Sequence, residues 1–222
     1  HRQELKERKI HASALLQGQE EERKRLSKEM HDGVGQMLTG LKLMVENFSN
    51  KESWSDYDRQ NAANLRQLVG QTIQEVRSIS NNLMPTVLND FGIRLALKQL
   101  LDATARNTSA RLSFESNLKD ERFDQRAEIS LYRIAQEALH NAVKHAEAAE
   151  ISLEILRENA KITLRIKDNG KGFRTNKKKN ITPPLPTHGL HNIQERAHLL
   201  DGTVKINSIT GRGTEIIVQI PQ

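Results

Sequence analysis

The chain of 222 residues contains no cysteine. Disulfides and thiolate-bound metals are thereby excluded, and the absence fits a reducing compartment. Aromatic residues make up only 4%, too few to build the stacking platforms that hold single-stranded nucleic acid. No apolar run approaches the ~20 residues that a membrane span needs, and no signal-peptide pattern is present. The first residue is His1 rather than Met. The chain is therefore expected to be a fragment, with room upstream for a sensor or membrane segment.

What is present is charge and helical periodicity. Charged residues make up 28% and the net charge is +6, with a pI of about 9.6. That balance brings nucleic-acid binding into consideration. However, the charges are interleaved, as in Glu20-Glu21-Glu22-Arg23-Lys24-Arg25, which is the pattern of a solvated helix with i,i+4 ion pairs. The one strongly basic run is Lys177-Lys178-Lys179. No direct nucleic-acid partner is expected.

Residues 2–22 are polar and helix-favouring, with sparse apolar positions at Leu5, Ile10, Leu15 and Leu16. They read as a coiled-coil lead-in, assigned to residues 1–22. From Leu26 to Phe48 the apolar residues Leu26, Met30, Val34, Met37, Leu41, Val45 and Phe48 recur at steps of three and four. At ~100° per residue they form one narrow stripe. Residues 49–57 break the pattern and read as a hairpin loop. A second helix then carries Leu65, Leu68, Ile73, Val76, Ile79 and Leu83, and Pro85 stops it. Two such helices cannot bury both seams alone. A four-helix bundle from two chains can, so residues 23–87 are expected to form a homodimer.

Residues 85–92 read as a short connection, and a second domain is expected over 88–222. Helical patterns cover 93–107, 126–146 and 190–200. Strand-like alternation appears at Leu112/Phe114, Ile151/Leu153/Ile155, Ile162/Leu164/Ile166, Val204/Ile206 and Ile216/Val218/Ile220. Strands and helices in this mixed order predict a two-layer α/β sandwich, and with the helical hairpin an α+β protein. The polar segment between Phe173 and Thr187 holds the lysine run with Pro183, Pro184 and Pro186. Its length marks it as a functional or mobile loop.

Four stretches of the second domain could carry chemistry. In the helix at 126–146, Glu137, Asn141 and His145 step by four and share the face opposite Leu131, Ile134, Ala138 and Ala142. An aligned acid, amide and imidazole suit a hydrated Mg²⁺ with phosphate oxygens; a plain solvent-facing polar stripe is the alternative. Asp168-Asn169-Gly170-Lys171-Gly172-Phe173 follows a strand, where the glycines let the backbone turn sharply and approach a ligand. An Asp there can accept from an exocyclic amine; an ordinary Asx/Gly turn is the alternative. Gly189-Leu190 and Gly211-Arg212-Gly213-Thr214 are each compatible with a simple helix-entry or hairpin turn.

Taken in order, EALHNAVKHA, DNGKGF, THGLHNIQERAHLLDG and GRGTEIIVQIP closely resemble the ATP-binding domain of sensor histidine kinases, a Bergerat-type fold shared with chaperone, gyrase and mismatch-repair ATPases. The resemblance implies that Asn141 ligates an Mg²⁺ bridging the ATP phosphates, with Glu137 supporting the metal and its water. It implies that Asp168 reads the adenine amino group with Thr214 nearby, and that Gly170, Gly172 and Gly213 border the nucleotide. Gly189 and Leu190 would begin the helix under the phosphates, and 173–188 would be the ATP lid. Lys144 and His145 match positions that approach phosphate. Thr187-His188-Gly189 stands where Gly-x-Gly is common.

The first domain holds Met30-His31-Asp32-Gly33-Val34-Gly35-Gln36. At 100° per residue His31 lies ~85° from the centre of the apolar stripe, on its shoulder and open to a partner. Gly33 and Gly35 each cost about 1 kcal/mol relative to Ala inside a helix; close approach of another backbone would explain them. Asp32 can orient the imidazole and make its other nitrogen more nucleophilic. An ordinary surface histidine is the alternative. The string ERKRLSKEMHDGVGQMLTGLKLM, with NLMPTVLNDFGIRLALKQL after it, resembles one histidine-kinase subfamily, whose response regulators carry helix-turn-helix DNA-binding output domains.

By that resemblance His31 is the autophosphorylation site, Asp32 the general base, and Gln36 completes a His-Asp-x-x-x-Gln pattern used to dephosphorylate the regulator. It implies a cytoplasmic, Mg·ATP-dependent kinase, touching a membrane only through a segment upstream. Among the other histidines, His1, His11, His140 and His198 read as surface or capping residues. His188 and His191, at the end of the lid segment, are candidates for phosphate contact. Two rival readings are an ATPase clamp of the same fold and a dimeric scaffold without kinase activity.

Overall fold

The computed structural model describes residues 2–48, 55–173 and 188–222. It divides into two compact units, His1–Thr86 and Val87–Gln222. The predicted lid lies almost wholly outside the described residues, as does the loop from 49 to 54.

The first unit is a long helical hairpin. Helix α1 (Arg2–Glu29) runs into a π-helical turn (Met30–Val34) and on into α2 (Gly35–Phe48). The backbone has no break at residue 22. Helix α3 (Asp56–Leu83) returns along this rod. The loop expected over 49–57 is therefore two residues too long at its end. Ser55 caps α3 with Asp58 in a reciprocal capping box, and Asp56 and Asp58 sit in the favourable first turn. At the other end Met84 is extended (φ −148°, ψ 106°), as a residue before proline should be.

The seam between the rod and α3 is thin. It buries Val45, Ala62 and Val69. One turn before His31 it is polar. The Ser27 hydroxyl donates to Ser80 O at 3.1 Å, and the Ser80 hydroxyl donates to Ser27 O at 3.2 Å. Of the predicted stripe only Val45 is buried. Leu26, Met37, Leu41 and Phe48 remain exposed, and so do Leu65, Leu68 and Ile79 of α3. The stripe thus faces mainly away from the chain's own hairpin.

The second unit opens with α4 (Thr86–Ala105), interrupted at Gly92 (φ 79°, ψ −178°). The connection expected over 85–92 is in fact helical up to Phe91. A left-handed glycine, rather than a loop, turns the chain there. Then come β1 (Arg111–Ser116), α5 (Gln125–His145), β2 (Glu150–Glu158), β3 (Lys161–Asp168), α6 (His188–Leu199), β4 (Thr203–Ile209) and β5 (Gly213–Pro221). The sheet order is β1-β2-β3-β5-β4. Strands β1 and β2 are parallel, and every other pair is antiparallel.

Alternation decides which face is buried. Ile151, Leu153 and Ile155, Ile162, Leu164 and Ile166, and Ile216, Val218 and Ile220 all point to one side. There they join Leu97, Leu131, Ile134, Leu139 and Ile193 from the three helices in one core. Full burial of each such side chain contributes roughly 1.5–3 kcal/mol. The intervening residues, such as Glu154, Arg165 and Glu215, form an ion-paired opposite face. One packed and one polar face is the usual state of an antiparallel sheet.

Candidate functional site

In the second unit the site is built around the polar side of α5. Asp124 starts this helix, accepting from the backbone N–H of Arg126 and Ala127. Its apolar side is driven into the core, which lifts Glu137 and Asn141 to half-buried positions at the edge. Asn141 Nδ2 donates to Glu137 Oε1 at 3.3 Å. The first turn of α6 crosses directly over the pair. A Cβ added at Gly189 would stand 1.8 Å from Glu137 Oε1 and 3.2 Å from Asn141 Nδ2. Leu190 is buried beside it. Lys144 and His145, a turn further along α5, are exposed.

The Asp168-to-Phe173 segment lies against the end of α5. Lys171 N donates to Ala146 O at 2.8 Å, and a Cβ at Gly170 would fall 2.2 Å from the same carbonyl. Asn169 Oδ1 accepts from Ala149 N and Glu150 N, both at 2.9 Å, and so fixes the loop to the start of β2. Gly172 (φ 55°) has room for hydrogen only, because a Cβ would meet Ile209 O at 2.2 Å. Gly213 (φ 90°) is equally close to Asp168 O, at 2.0 Å. Backbone proximity at these positions demands glycine.

Asp168 is 7% exposed. Its Oδ1 accepts from Gly170 N at 2.9 Å and Thr214 N at 3.3 Å. Burial pushes this carboxyl above its ordinary value of 3.8, and the two N–H bonds pull the other way. A desolvated carboxylate oriented by backbone donors is suited to accept from a neutral amine. Thr214 is its cross-strand partner, and the Thr214 hydroxyl lies 2.9 Å from Ser208 Oγ.

Reading the sequence did not single out Ser208. It is buried, accepts from Phe173 N at 2.8 Å and donates to Gly213 O at 3.3 Å. Its only signal is that it continues the inward alternation of Val204 and Ile206.

In the first unit His31 and Asp32 lie in the π turn, where Gly35 N–H bonds Met30 O instead of the α-helical partner. His31 Nδ1 is 3.2 Å from Asp32 Oδ1, and the two side chains are 79% and 53% exposed. Gln36 is exposed one turn beyond Asp32. The exposure expected for His31 is present. The 100° step used to place it fails across these residues, because the i→i+5 turn carries an extra residue. Among the described residues nothing beyond the helix's own neighbouring backbone lies within 4 Å of a Cβ built at Gly33, and the nearest to one at Gly35 is Met30 O at 3.6 Å.

Two family models cover most of the chain. One described as "Histidine kinase" matches residues 22–88, and one described as "Histidine kinase-, DNA gyrase B-, and HSP90-like ATPase" matches 126–222. The chain belongs to the histidine kinases. It is 35% identical over 99% of its length to the signal transduction histidine-protein kinase/phosphatase DegS of Brevibacillus brevis, and spans 56% of that protein.

The histidine-kinase domain of a blue-light activated histidine kinase from Erythrobacter litoralis has the same fold, with a TM-score of 0.51 and 13% identity. The match covers 84% of this chain and 94% of that one. A longer chain of the same protein gives 0.50 at 14% identity, covering 84% and 59%. In this histidine kinase the residues gathered at the edge of the sheet therefore belong to an ATP-binding fold. No described helix is long and apolar enough to cross a membrane.

Proposed function

We propose that this chain is the catalytic part of a cytoplasmic signalling kinase that transfers the γ-phosphoryl of ATP to His31 and passes it on to an aspartate of a response regulator. The observation that carries this reading is the His31–Asp32 pair, exposed in one unit, on the same chain as an ATPase-type site with a buried Asp168. The Nδ1 edge of the imidazole faces Asp32 Oδ1. In the tautomer with the proton on Nδ1, Nε2 carries the free lone pair. Nε2 then attacks the γ-phosphorus, an Nε2–P bond forms, the bond to ADP breaks, and the Nδ1 proton passes to Asp32.

Asp168 would accept from the adenine amine, with Thr214 beside it and Gly170, Gly172 and Gly213 giving the base room. Glu137 and Asn141 fit Mg²⁺ by donor chemistry. Both offer hard oxygens, and the Asn141 amide N–H already bonds Glu137, which leaves its carbonyl oxygen as an acceptor. Bound there, Mg²⁺ would supply charge neutralisation on the phosphates. Gly189 and Leu190 would line the phosphate end, with Lys144 and His145 close by. Gln36 would serve regulator dephosphorylation. The exposed stripe of α2 and α3 supports a homodimer, in which two hairpins cover one another's seams. A regulator with a helix-turn-helix output domain is the partner this subfamily suggests.

Incubation with labelled ATP tests the reading. Acid-labile label should appear on wild type, need Mg²⁺, and vanish in His31→Gln. Undiminished label in that variant would overturn it. Mixing a His31 variant with an Asn141 variant then reports whether transfer occurs within one chain or between two.

A further inference from the structure

Three side chains stand in one row across the end of the sheet. Asp168 of β3 is paired with Thr214 of β5, and Thr214 with Ser208 of β4. Directly paired residues share a face of the sheet. Each of the three is two positions from an inward residue, Ile166, Ile216 or Ile206, so the row lies on the core side. Asp168 uses its Oδ1 to accept from Gly170 N and Thr214 N, and among the described residues none bonds its Oδ2.

Ser208 is 5% exposed and meets three groups. Its Oγ accepts from Phe173 N at 2.8 Å, donates to Gly213 O at 3.3 Å and lies 2.9 Å from Thr214 Oγ1. A hydroxyl has one proton and two lone pairs. The Phe173 N–H takes one lone pair, and Gly213 O can only receive the proton. The second lone pair is then left for the Thr214 hydroxyl. Only this placement of the two hydroxyl protons satisfies all three contacts. If Ser208 gave its proton to Thr214 instead, the bond to Gly213 O would be lost. Thr214 thus turns its own proton inward, to Ser208, and keeps only lone pairs for anything outside.

We propose that Ser208 sets the base preference of this site by fixing Thr214 as a hydrogen-bond acceptor beside the acceptor Oδ2 of Asp168. Two acceptors suit a 6-aminopurine, whose exocyclic amine carries two N–H groups. They repel a 6-oxopurine, whose carbonyl oxygen would face lone pairs on both. Ser208 is a positioning residue here, because it acts through Thr214. A serine that merely pinned Phe173 to the turn would leave base preference alone. The inference rests on the adenine reading of Asp168.

Calorimetry on the full chain with Mg·ADP and Mg·IDP tests it. Neither nucleotide has a γ-phosphoryl to transfer, and the two differ only at the N1–C6 edge of the purine. Wild type should hold ADP about 100-fold more tightly than IDP, from two mispaired acceptors at about tenfold each. In Ser208→Ala the Thr214 hydroxyl can turn outward and donate to the carbonyl. The ratio should then fall about tenfold, chiefly through tighter IDP binding. Thr214→Val should lower it similarly, and the double variant no further. A wild-type ratio near one overturns the proposal. So does an unchanged ratio in either single variant, or additive losses in the double one. Thr214→Val leaves Ser208 intact, so the acceptor can be read even where Ser208→Ala does not fold. Wild type that fails to bind ADP at all would overturn the adenine reading itself, and this inference with it.

Discussion

Gly189→Ala should separate stability from phosphorylation more cleanly than any other single change. The new Cβ would stand 1.8 Å from Glu137 Oε1, 2.8 Å from Glu137 Cδ and 3.2 Å from Asn141 Nδ2. All three nearest atoms belong to side chains, so the backbone of α6 can stay where it is. The Glu137 carboxylate must retreat from 1.8 Å to about 3.4 Å, where ordinary contact begins. Losing its 3.3 Å bond to Asn141 costs roughly 0.5–1.5 kcal/mol. Replacing Gly by Ala in a helix returns up to about 1 kcal/mol. The two nearly cancel, and melting should move by no more than a few degrees. Phosphorylation has no such compensation. A misplacement of about 1 Å in a catalytic group can cost ~100-fold, so the initial rate of His31 labelling should fall by about that factor. Labelling within threefold of wild type would refute the placement of Glu137 at the reacting phosphates. A melting point lowered by more than ~10 °C would refute the premise that only side chains yield.

Asp168→Asn should abolish ATP binding yet melt at or above wild type at pH 7. The folded carboxyl titrates above its ordinary 3.8, so between the two values the folded chain holds more protons, and stability falls as pH rises through that window. Above the window the buried charge is a cost that Asn removes. The difference in melting should shrink toward pH 4, and a variant that melts lower at pH 7 would reverse the sign of the argument. Gly33→Ala meets empty space within its own unit. It should melt slightly higher, by up to about 1 kcal/mol, and label at least tenfold more slowly if a second body must approach there; unaltered labelling would show that no such clearance is needed. Gln36→Ala should slow decay of the phosphorylated regulator by about 100-fold while leaving His31 labelling within twofold. Equal loss of both activities would remove Gln36 from the reverse reaction.

The strands of the second unit were legible because each alternates cleanly, and α5 because its apolar side is continuous. The residues around Asp168 were legible as a set because three glycines recur where backbone meets backbone. Other features had no local signal. The helix from Thr86 to Phe91 is too short to show a period, and it sits between Pro85 and Gly92, which both read as breaks. Arg122 donates to the carbonyls of Leu88 and Asn89, more than thirty positions away in the chain. A guanidinium that caps a distant helix end leaves no spacing to find. Ser208 was hidden for the opposite reason, since a small polar residue on a strand looks like surface until its neighbours show that it points inward.

The π turn is the instructive case. Regular helix arithmetic set His31 on the shoulder of an apolar stripe and left two glycines to explain. The histidine is exposed, but the step that put it there does not hold, because Gly35 N–H reaches back to Met30 O. A π turn is rare in helices and is frequent at functional positions. Glycine at 33 and 35 lowers the cost of leaving the α-helical path, since neither has a side chain to pack against the preceding turn. The empty space at Gly33 therefore admits two causes, a docking partner or the turn itself. They differ in what alanine does. If the turn is the cause, alanine at 33 draws the segment back to α-helix and rotates His31 relative to Asp32, changing their 3.2 Å contact even when no nucleotide is present. If docking is the cause, the ring keeps its partner and only transfer from ATP suffers. Ring NMR signals of His31, recorded without nucleotide on wild type and the Gly33→Ala variant, separate the two: they move if the turn is the cause and stay if docking is.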